Sequence, residues 1–397
     1  MSIDPIQERN STLKEAEEKV KETGGRAKYR QIVEGLRESI VSGEYSSGKR
    51  LPSESELVRR FGVSRMTVVK AVKELEYQGL VTRRVGSGTF VSPQAGQERK
   101  IFGLLIPELG QTEIFEPICQ GMASFSGAAR HSLLWGNSAL QNAEGQDRAK
   151  EDLAEDLGRQ YVAQRVSGVF FAPLELSANK DEVNRRIVAA FDRAKIPVVL
   201  LDRCLEPYPE RSRYDLVGID NRRAAFMATM HLVRAGAKRI AFLGKQFSAS
   251  TVDARIAGYR EALMAAGAFH PQEDLVLRGE PSDQDWVRQS LAQHRPDAFL
   301  CANDHTAAML MQVLLRMGCR VPEEIRIVGF DDVKYAHLLP IPLTTQHQPC
   351  LELGRVAMAT MLERMQIPDL PRRDILLDTH LVVRASCGVN ASANKEV

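Results

Sequence analysis

The sequence predicts an α/β protein in two parts: a small helical unit ending in a two-stranded wing, then a two-lobed region of parallel sheets covered by helices. Three observations point there. Residues 51–91 read as helix, tight turn, helix and hairpin. From residue 100 onward, short apolar runs alternate with amphipathic segments, the pattern of parallel strands joined by crossover helices. Positive charge is gathered at the front: residues 26–92 hold 13 Lys and Arg against 7 Asp and Glu, whereas the whole chain of 397 residues carries a formal net charge of only +2.

Residues 1–25 are rich in Glu and Lys, close on Gly24-Gly25, and read as a polar tail. The first structured unit spans 26–92. In Leu51-Pro52-Ser53-Glu54-Ser55-Glu56, Ser53 and Glu56 stand at capping-box spacing, where each side chain satisfies a free backbone donor at the helix start. Leu57 and Phe61 lie one turn apart. Gly62 breaks this helix and Ser64 caps the next. Val68, Val72 and Leu75 form an inward stripe at i, i+4 and i+7. Arg65, Thr67, Lys70 and Lys73 remain outside, and basic and hydroxyl side chains on a short helix suit a DNA major groove. Residues 80–85 read as a strand, Gly86-Ser87-Gly88 as a turn and 89–91 as the returning strand. Arg83, Arg84 and Gly86 would set this wing against the DNA backbone or minor groove. The plainer alternative is a helical hairpin with a solvated basic face. The composition of 93–99 is that of a linker.

Candidate strands follow at 101–106, 132–136, 167–172, 197–201, 239–243, 297–301 and 325–330. Helical segments lie near 114–128, 146–164, 180–194, 222–235, 253–267, 283–294 and 304–317. That is more than one sheet comfortably uses, so two similar lobes are expected over 100–387, with 388–397 as a C-terminal tail. In such sheets ligands bind outside the carboxyl ends of the strands. Asp202-Arg203, Asn303-Asp304 and Asp331-Asp332 stand at those ends, and Arg255 sits just inside a helix. All can hydrogen-bond hydroxyls, the Arg fork most strongly. Each could instead serve locally, and Asn303 or Asp304 could simply cap a helix.

Several function classes are disfavoured. No run of ~18 apolar residues suggests a membrane span, and the polar start argues against a secretory signal, so a cytoplasmic protein is expected. Six cysteines are scattered without C-x-x-C or zinc-ligand spacing, so reduced thiols and no metal are expected. Gly86-Ser87-Gly88 lacks the Lys and helix of a phosphate loop. No Ser-His-Asp order or H-E-x-x-H is evident. Asp331 and Asp332, neighbours at a strand end, should point apart rather than act as a carboxylate pair. Neither catalysis nor a cofactor is expected.

The LPSE, VSR-x-TV and G-x-GTFV elements, with Tyr29, Ile32, Leu36, Ile40, Gly43 and Gly48 upstream, make residues 28–92 resemble the GntR-type winged helix-turn-helix domain. Some members of that family carry a DNA-contacting arginine where this chain has Ser55, so that contact is not carried over. The resemblance implies DNA contacts from Ser64, Arg65, Thr67, Lys70, Arg83, Arg84 and Gly86. Residues 100–387 resemble the sugar-sensing domain of LacI/GalR-type repressors. The matching pieces are PVVLLDR at 197–203, VGIDN at 217–221, HLVRAGAKRIAFLG at 231–244, DARIAGYREAL at 253–263, CAND at 301–304, VPEEIRIVGFDD at 321–332 and PLTTQHQP at 342–349.

This second resemblance implies a type I periplasmic-binding-protein-like sensor in which Arg255, Asn303 and Asp331 face the effector. Asp202 is a further candidate, and Phe115 matches a position that often lines the cleft. Some relatives carry a stacking Trp near 280–282, where this chain has Glu280-Pro281-Ser282. Trp286 falls inside the next helix, where packing is the expected role. The pairing of the two domains resembles the chimeric arabinose-responsive repressors. It implies a homodimeric transcriptional regulator on double-stranded, inverted-repeat operator DNA, released by a small-molecule effector such as a sugar. A corepressor-dependent regulator and a sugar-binding transport-type protein are the alternatives.

Overall fold

The computed structural model describes residues 28–40, 43–46, 48–77, 79–84, 86–92, 100–106, 113–125, 131–136 and 150–389. The expected tail over 1–25, the linker over 93–99, residues 390–397 of the C-terminal tail, the helical stretches 126–128 and 146–149, and Val85 of the wing lie outside them. The described residues form two compact units that divide between Arg99 and Lys100.

The first unit contains α1 (28–40), α2 (Glu54–Phe61), α3 (Arg65–Tyr77), β1 (Val81–Arg84) and β2 (Gly88–Val91). Ile32, Leu36, Leu57, Val68, Val72, Leu75 and Val91 are at most 2% exposed and close one core. The capping box forms: Ser53 N–H donates to Glu56 Oε2 at 2.6 Å and Glu56 N–H to Ser53 Oγ at 3.3 Å. Gly62 ends α2 at φ +60°, a left-handed conformation that costs glycine no Cβ clash. Ser64 Oγ accepts the Thr67 N–H at 3.2 Å, so α3 is capped where the sequence indicates. The wing pairs antiparallel from Val81 opposite Val91 to Arg84 opposite Gly88.

The second unit holds two six-stranded sheets. Lobe 1 contains β3 (Ile101–Leu105), β4 (Ser132–Trp135), β5 (Gly168–Phe171), β6 (Val198–Leu201), β7 (Asp215–Ile219) and the late β13 (Asp374–Leu377). Their order is β13-β7-β6-β5-β3-β4, and every pair is parallel. Lobe 2 contains β8 (Ile240–Gly244), β9 (Val276–Arg278), β10 (Ala298–Cys301), β11 (Arg326–Asp331), β12 (Thr344–His347) and β14 (His380–Val382). Their order is β14-β12-β11-β10-β8-β9, and only β14 runs antiparallel. β6 and β10 are buried at every residue because helices cover both faces, which is why they read as unbroken apolar runs.

The helices are α4 (Phe115–Ser124), α5 (Lys150–Ala163), α6 (Lys180–Arg193), α7 (Asn221–Arg234), α8 (Ser250–Ala265), α9 (Gln284–His294), α10 (Asp304–Arg316) and α11 (Cys350–Gln366). All seven expected strands are present. The structure adds β7, β9, β12, β13, β14 and α11. β9 and β14 have three residues each, and β13 alternates exposed with half-buried positions, so none of the three gives a long apolar run. α11 packs on α4 through small residues. A Cβ on Gly354 would run into the Ile118 carbonyl, and one on Gly121 into the Leu351 carbonyl. Leu353, Ala357, Met358 and Met361 are buried on the same helix at helical spacing, a stripe the sequence carries and the expected helices omit.

The chain passes between the lobes at 219–221, 347–350 and 377–380. α7 therefore packs on α8 in lobe 2, and α11 returns to α4 in lobe 1. Among the described residues no helix is long and apolar enough to cross a membrane.

Candidate effector cleft and DNA-reading surface

The carboxyl ends of β6 and β11 give the cleft its charged floor. Asp202, Asp331 and Asp332 have φ of +66°, +118° and +57°. Such backbone costs a non-glycine residue about 1–3 kcal/mol, and three of the eight non-glycine residues with positive φ among the described residues stand at these two strand ends. Asp202, Arg203 and Arg255 are 6%, 6% and 5% exposed. Arg203 Nη1 lies 2.6 Å from Glu175 Oε1, and its Nε donates to Asp202 Oδ2 at 3.2 Å. Arg255 Nε donates to Asn221 Oδ1 at 2.8 Å, and its Nη1 donates to the Ala302 carbonyl. The Arg255 guanidinium lies 3.6 Å from the Phe330 ring centroid, and its Nη2 is 3.9 Å from Asp331 Oδ1. Gln348 Nε2 donates to Asp331 Oδ1 at 2.6 Å. Asp202 Oδ1 and Gln348 Oε1 are buried with no hydrogen-bond partner among the described residues.

Burial dominates the electrostatics. It pushes Asp331 well above the ordinary carboxylate range; Arg255 pulls it back and Asp304 adds to the rise. Burial likewise lowers Arg255, against the pull of Asp331, Asp202 and Glu175. At Glu175 burial opposes the charge, but Arg203 outweighs it and holds the carboxyl below its usual value. Asp202 and Glu175 of lobe 1 thus act electrically on Arg255 of lobe 2. A cavity of about 520 Å³ opens from Asp331 and Gln348 toward Glu113, Lys334 and Tyr335. The lobes also meet directly: Ala249 N–H donates to Glu175 Oε2 at 3.2 Å, Leu176 N–H to the Phe247 carbonyl at 2.7 Å, and Ser250 Oγ to the Cys204 carbonyl at 3.2 Å.

Arg255, Asp331 and Asp202 come together. Asn303 is half-buried, and its Oδ1 caps α10 by accepting the Thr306 N–H at 2.8 Å. Phe115 is 1% exposed in the core, with the Arg203 guanidinium 5.6 Å from its ring centroid. Trp286 packs over Gly279 and against the lobe 2 core. Asp331 and Asp332 do find separate partners, since Asp332 pairs with Arg384 at 2.7 Å and His347 at 2.9 Å. Sequence reasoning missed Glu175, Asn221 and Gln348. Asn221 and Gln348 stand at two of the lobe crossings and inside motifs already noted at 217–221 and 342–349. Glu175 lies four residues past β5, at a strand end like the residues that were picked out.

Asp304 is fully buried beneath this floor, accepting Thr345 Oγ1–H at 2.6 Å and the Val333 N–H at 3.0 Å. Burial pushes its carboxyl up to about 7, against about 3.9 in an unfolded chain. Between those values the unfolded chain loses its proton first. The stability contributed by protonated Asp304 is therefore complete below about pH 4 and is lost as pH rises through about 7. Chemical denaturation should show a falling midpoint from pH 5 to pH 7.5, with a flatter profile in Asp304→Asn. Equal slopes in the two proteins would remove Asp304 as the cause.

On the first unit, the Arg65 side chain is 79% exposed at the start of α3, and the Arg83 side chain is 41% exposed on the wing. Glu54 ties them together: its Oε2 lies 3.3 Å from Arg65 Nε, and its Oε1 pairs with Arg83 Nη2. Ser64 Oγ and Thr67 Oγ1 stand 2.8 Å apart and serve the cap. Lys70 is exposed, with its ammonium 5.4 Å from the Tyr29 ring centroid, and Arg84 lies 4.9 Å from that of Phe90. Gly86 turns the wing at φ +73°. Met66, 77% exposed beside Arg65, was not picked out from sequence.

An exposed basic recognition helix and wing, carried on the same chain as a two-lobed parallel-sheet cleft, define a DNA-binding regulator with a sensor domain. Residues 28–91 match the bacterial regulatory proteins of the gntR family, and residues 229–387 match the periplasmic binding protein-like domain. The chain is 29% identical over 377 residues to an arabinose metabolism transcriptional repressor of Geobacillus stearothermophilus, covering 90% of this chain and 97% of that one. It is 30% identical over 340 residues to the HTH-type transcriptional regulator CelR of Thermobifida fusca, covering 81% and 89%. The transcription regulator CcpA of Lactococcus lactis shares the fold at TM-score 0.60 and 22% identity, over 73% of this chain and 99% of that one. The chain belongs to the HTH-type transcriptional regulators that join a GntR-family reader to a LacI-type, periplasmic-binding-protein-like sensor.

Proposed function

We propose that the protein is a homodimeric repressor that leaves an inverted-repeat operator when a sugar occupies the cleft. Residues 26–92 are the reader, with Arg65, Lys70, Arg83, Arg84 and Gly86 toward DNA and Ser64 and Thr67 shaping the helix start. Residues 100–387 sense the effector and dimerise. Arg255, Asp331 and Asp202 supply its partners, Asn303 adds its amide, and Phe115 backs Arg203. The cleft binds its ligand without transforming it, and the protein acts in the cytoplasm.

One observation carries this reading. The two central effector residues are bonded to residues at lobe crossings: Arg255 to Asn221 and Asp331 to Gln348. A ligand that re-engages Arg255 and Asp331 alters bonds at the hinges themselves, and hinge rotation re-angles whatever the lobes carry. A coupling of about 1–3 kcal/mol, or about 5–150-fold, is sufficient. The sugar class is supported by the arabinose metabolism repressors among the relatives and by a solved CelR-cellobiose complex with the same fold. A two-fold dimer on two half-sites follows from the modest surface of one winged helix.

Sedimentation of labelled upstream DNA from its own gene tests this. Two protein chains per operator are expected, with dissociation about 5–150-fold easier in the presence of a cleft-binding sugar such as L-arabinose. A full-affinity monomer complex would remove the dimer. A cleft ligand that tightens the complex would make the protein corepressor-dependent.

A further inference from the structure

The ionisable groups on the cleft floor are unequal in number and already committed. Three carboxyl groups, on Glu175, Asp202 and Asp331, surround two guanidiniums, Arg203 and Arg255. Arg203 is engaged by Glu175 and Asp202. Arg255 is engaged by Asn221, the Ala302 carbonyl and the Phe330 ring. What is left over is acceptor capacity: Asp202 Oδ1 and Gln348 Oε1 are buried with no partner among the described residues. The Asp202 side chain is 5% exposed and lies close enough to Arg255 and Asp331 to act on both, so its unpaired oxygen belongs to the interlobe cluster. The adjoining cavity repeats the bias. Among the described residues Glu113, Glu116, Asp331, Asp332 and Glu352 line it, with Lys334 as the one Lys or Arg.

We propose that this cleft selects an uncharged, hydroxyl-rich ligand and rejects the phosphate esters and acids of the same sugars, with Glu175 and Asp202 as the residues that enforce the choice. The proposal rests on the effector reading above. A hydroxyl donates to the unpaired oxygens of Asp202 and Gln348 and accepts from Arg255. A phosphate or carboxylate has no proton to donate there, so it leaves buried acceptors unpaired. It also brings negative charge toward the Asp202 carboxylate, while Arg203, the guanidinium that could neutralise it there, is held by Glu175 and Asp202. Glu175 thus acts by occupying Arg203, and Asp202 by both occupying Arg203 and presenting its free oxygen.

The test is calorimetric titration of the full chain. The probes are L-arabinose, D-ribose, D-glucose and cellobiose, beside ribose 5-phosphate, arabinose 5-phosphate, glucose 6-phosphate and the corresponding aldonic acids. At least one neutral sugar should bind, with its charged derivatives weaker by on the order of 100-fold or more. In Glu175→Gln and Asp202→Asn this ratio should shrink by about tenfold or more, since Arg203 is freed and a carboxylate is removed. A charged derivative that binds wild type as tightly as its parent sugar overturns the proposal and leaves the effector reading standing. Silence across both halves of the panel overturns both. Ratios unchanged in folded variants remove Glu175 and Asp202 from the role. If neither variant folds, the wild-type ratio decides alone.

Discussion

Arg255→Ala is expected to lower the stability of the sensor unit by about 3–5 kcal/mol and to abolish measurable effector binding. Arg255 is 5% exposed and its guanidinium is the cation facing Asp331 across 3.9 Å, in a place where burial already pushes that carboxyl up. Its removal leaves Asp331 and Asn221 Oδ1 without their cationic neighbour and opens a void over the Phe330 ring. Arg255→Lys keeps a charge but loses the planar fork that reaches Asn221 and Ala302 together, so it should recover part of the stability and little of the binding. Urea denaturation and calorimetry measure the two effects separately. An alanine variant that keeps both its denaturation midpoint and its ligand affinity would place the effector elsewhere. Asp331→Ala is the companion substitution, and it should also weaken binding, because Gln348 loses its acceptor.

The second large effect is on DNA. Arg65→Ala should weaken operator binding by about 1–3 kcal/mol and relax base preference at one position of each half-site, if its fork reads a base. Lys70→Ala should weaken all duplexes alike and reduce the salt dependence by about one counterion. The structure sharpens the reading of Arg65. Its side chain is 79% exposed, and its recorded partner is Glu54, which also holds Arg83. Arg65→Ala leaves Glu54 to Arg83 alone, so the wing should stay placed while the recognition helix loses its leading cation. Fluorescence anisotropy across a salt series resolves the two contributions. Unchanged operator affinity in the double variant Arg65→Ala, Lys70→Ala would falsify docking through α3.

Much of the reader was legible in advance because its signals are local. Ser53 and Glu56 are three residues apart, and the bonds between them require only that α2 form. Val68, Val72 and Leu75 recur at helical spacing and are buried together. The expected strands of the sensor were legible for a related reason. A parallel strand covered on both faces must be apolar at every position, so β6 and β10 declare themselves. β13 did not, because it lies at a sheet edge and is half exposed. α11 carries a legible stripe, with Leu353, Ala357, Met358 and Met361 buried at helical spacing, which the expected helices leave out.

At the cleft, sequence pointed to the residue types and the strand ends, and the tertiary structure decided their roles. Asn303 and Asp304 adjoin in the chain, yet Asn303 caps α10 while Asp304 is sealed beneath the floor with Thr345, 41 residues away. Arg203 was visible at the end of β6, but its partner Glu175 comes from another loop. Glu54 reads as part of a helix start, and only folding brings Arg83, 29 residues on, to the oxygen that Arg65 leaves free. By itself the sequence determined what depends on neighbours within a turn or on burial of both faces: caps, stripes, apolar strands and the order of the domains. The tertiary structure alone decided which carboxylate holds which guanidinium and which oxygen is left unpaired. Those pairings depend on which strand ends face each other, and that distance in space is not written in the spacing along the chain.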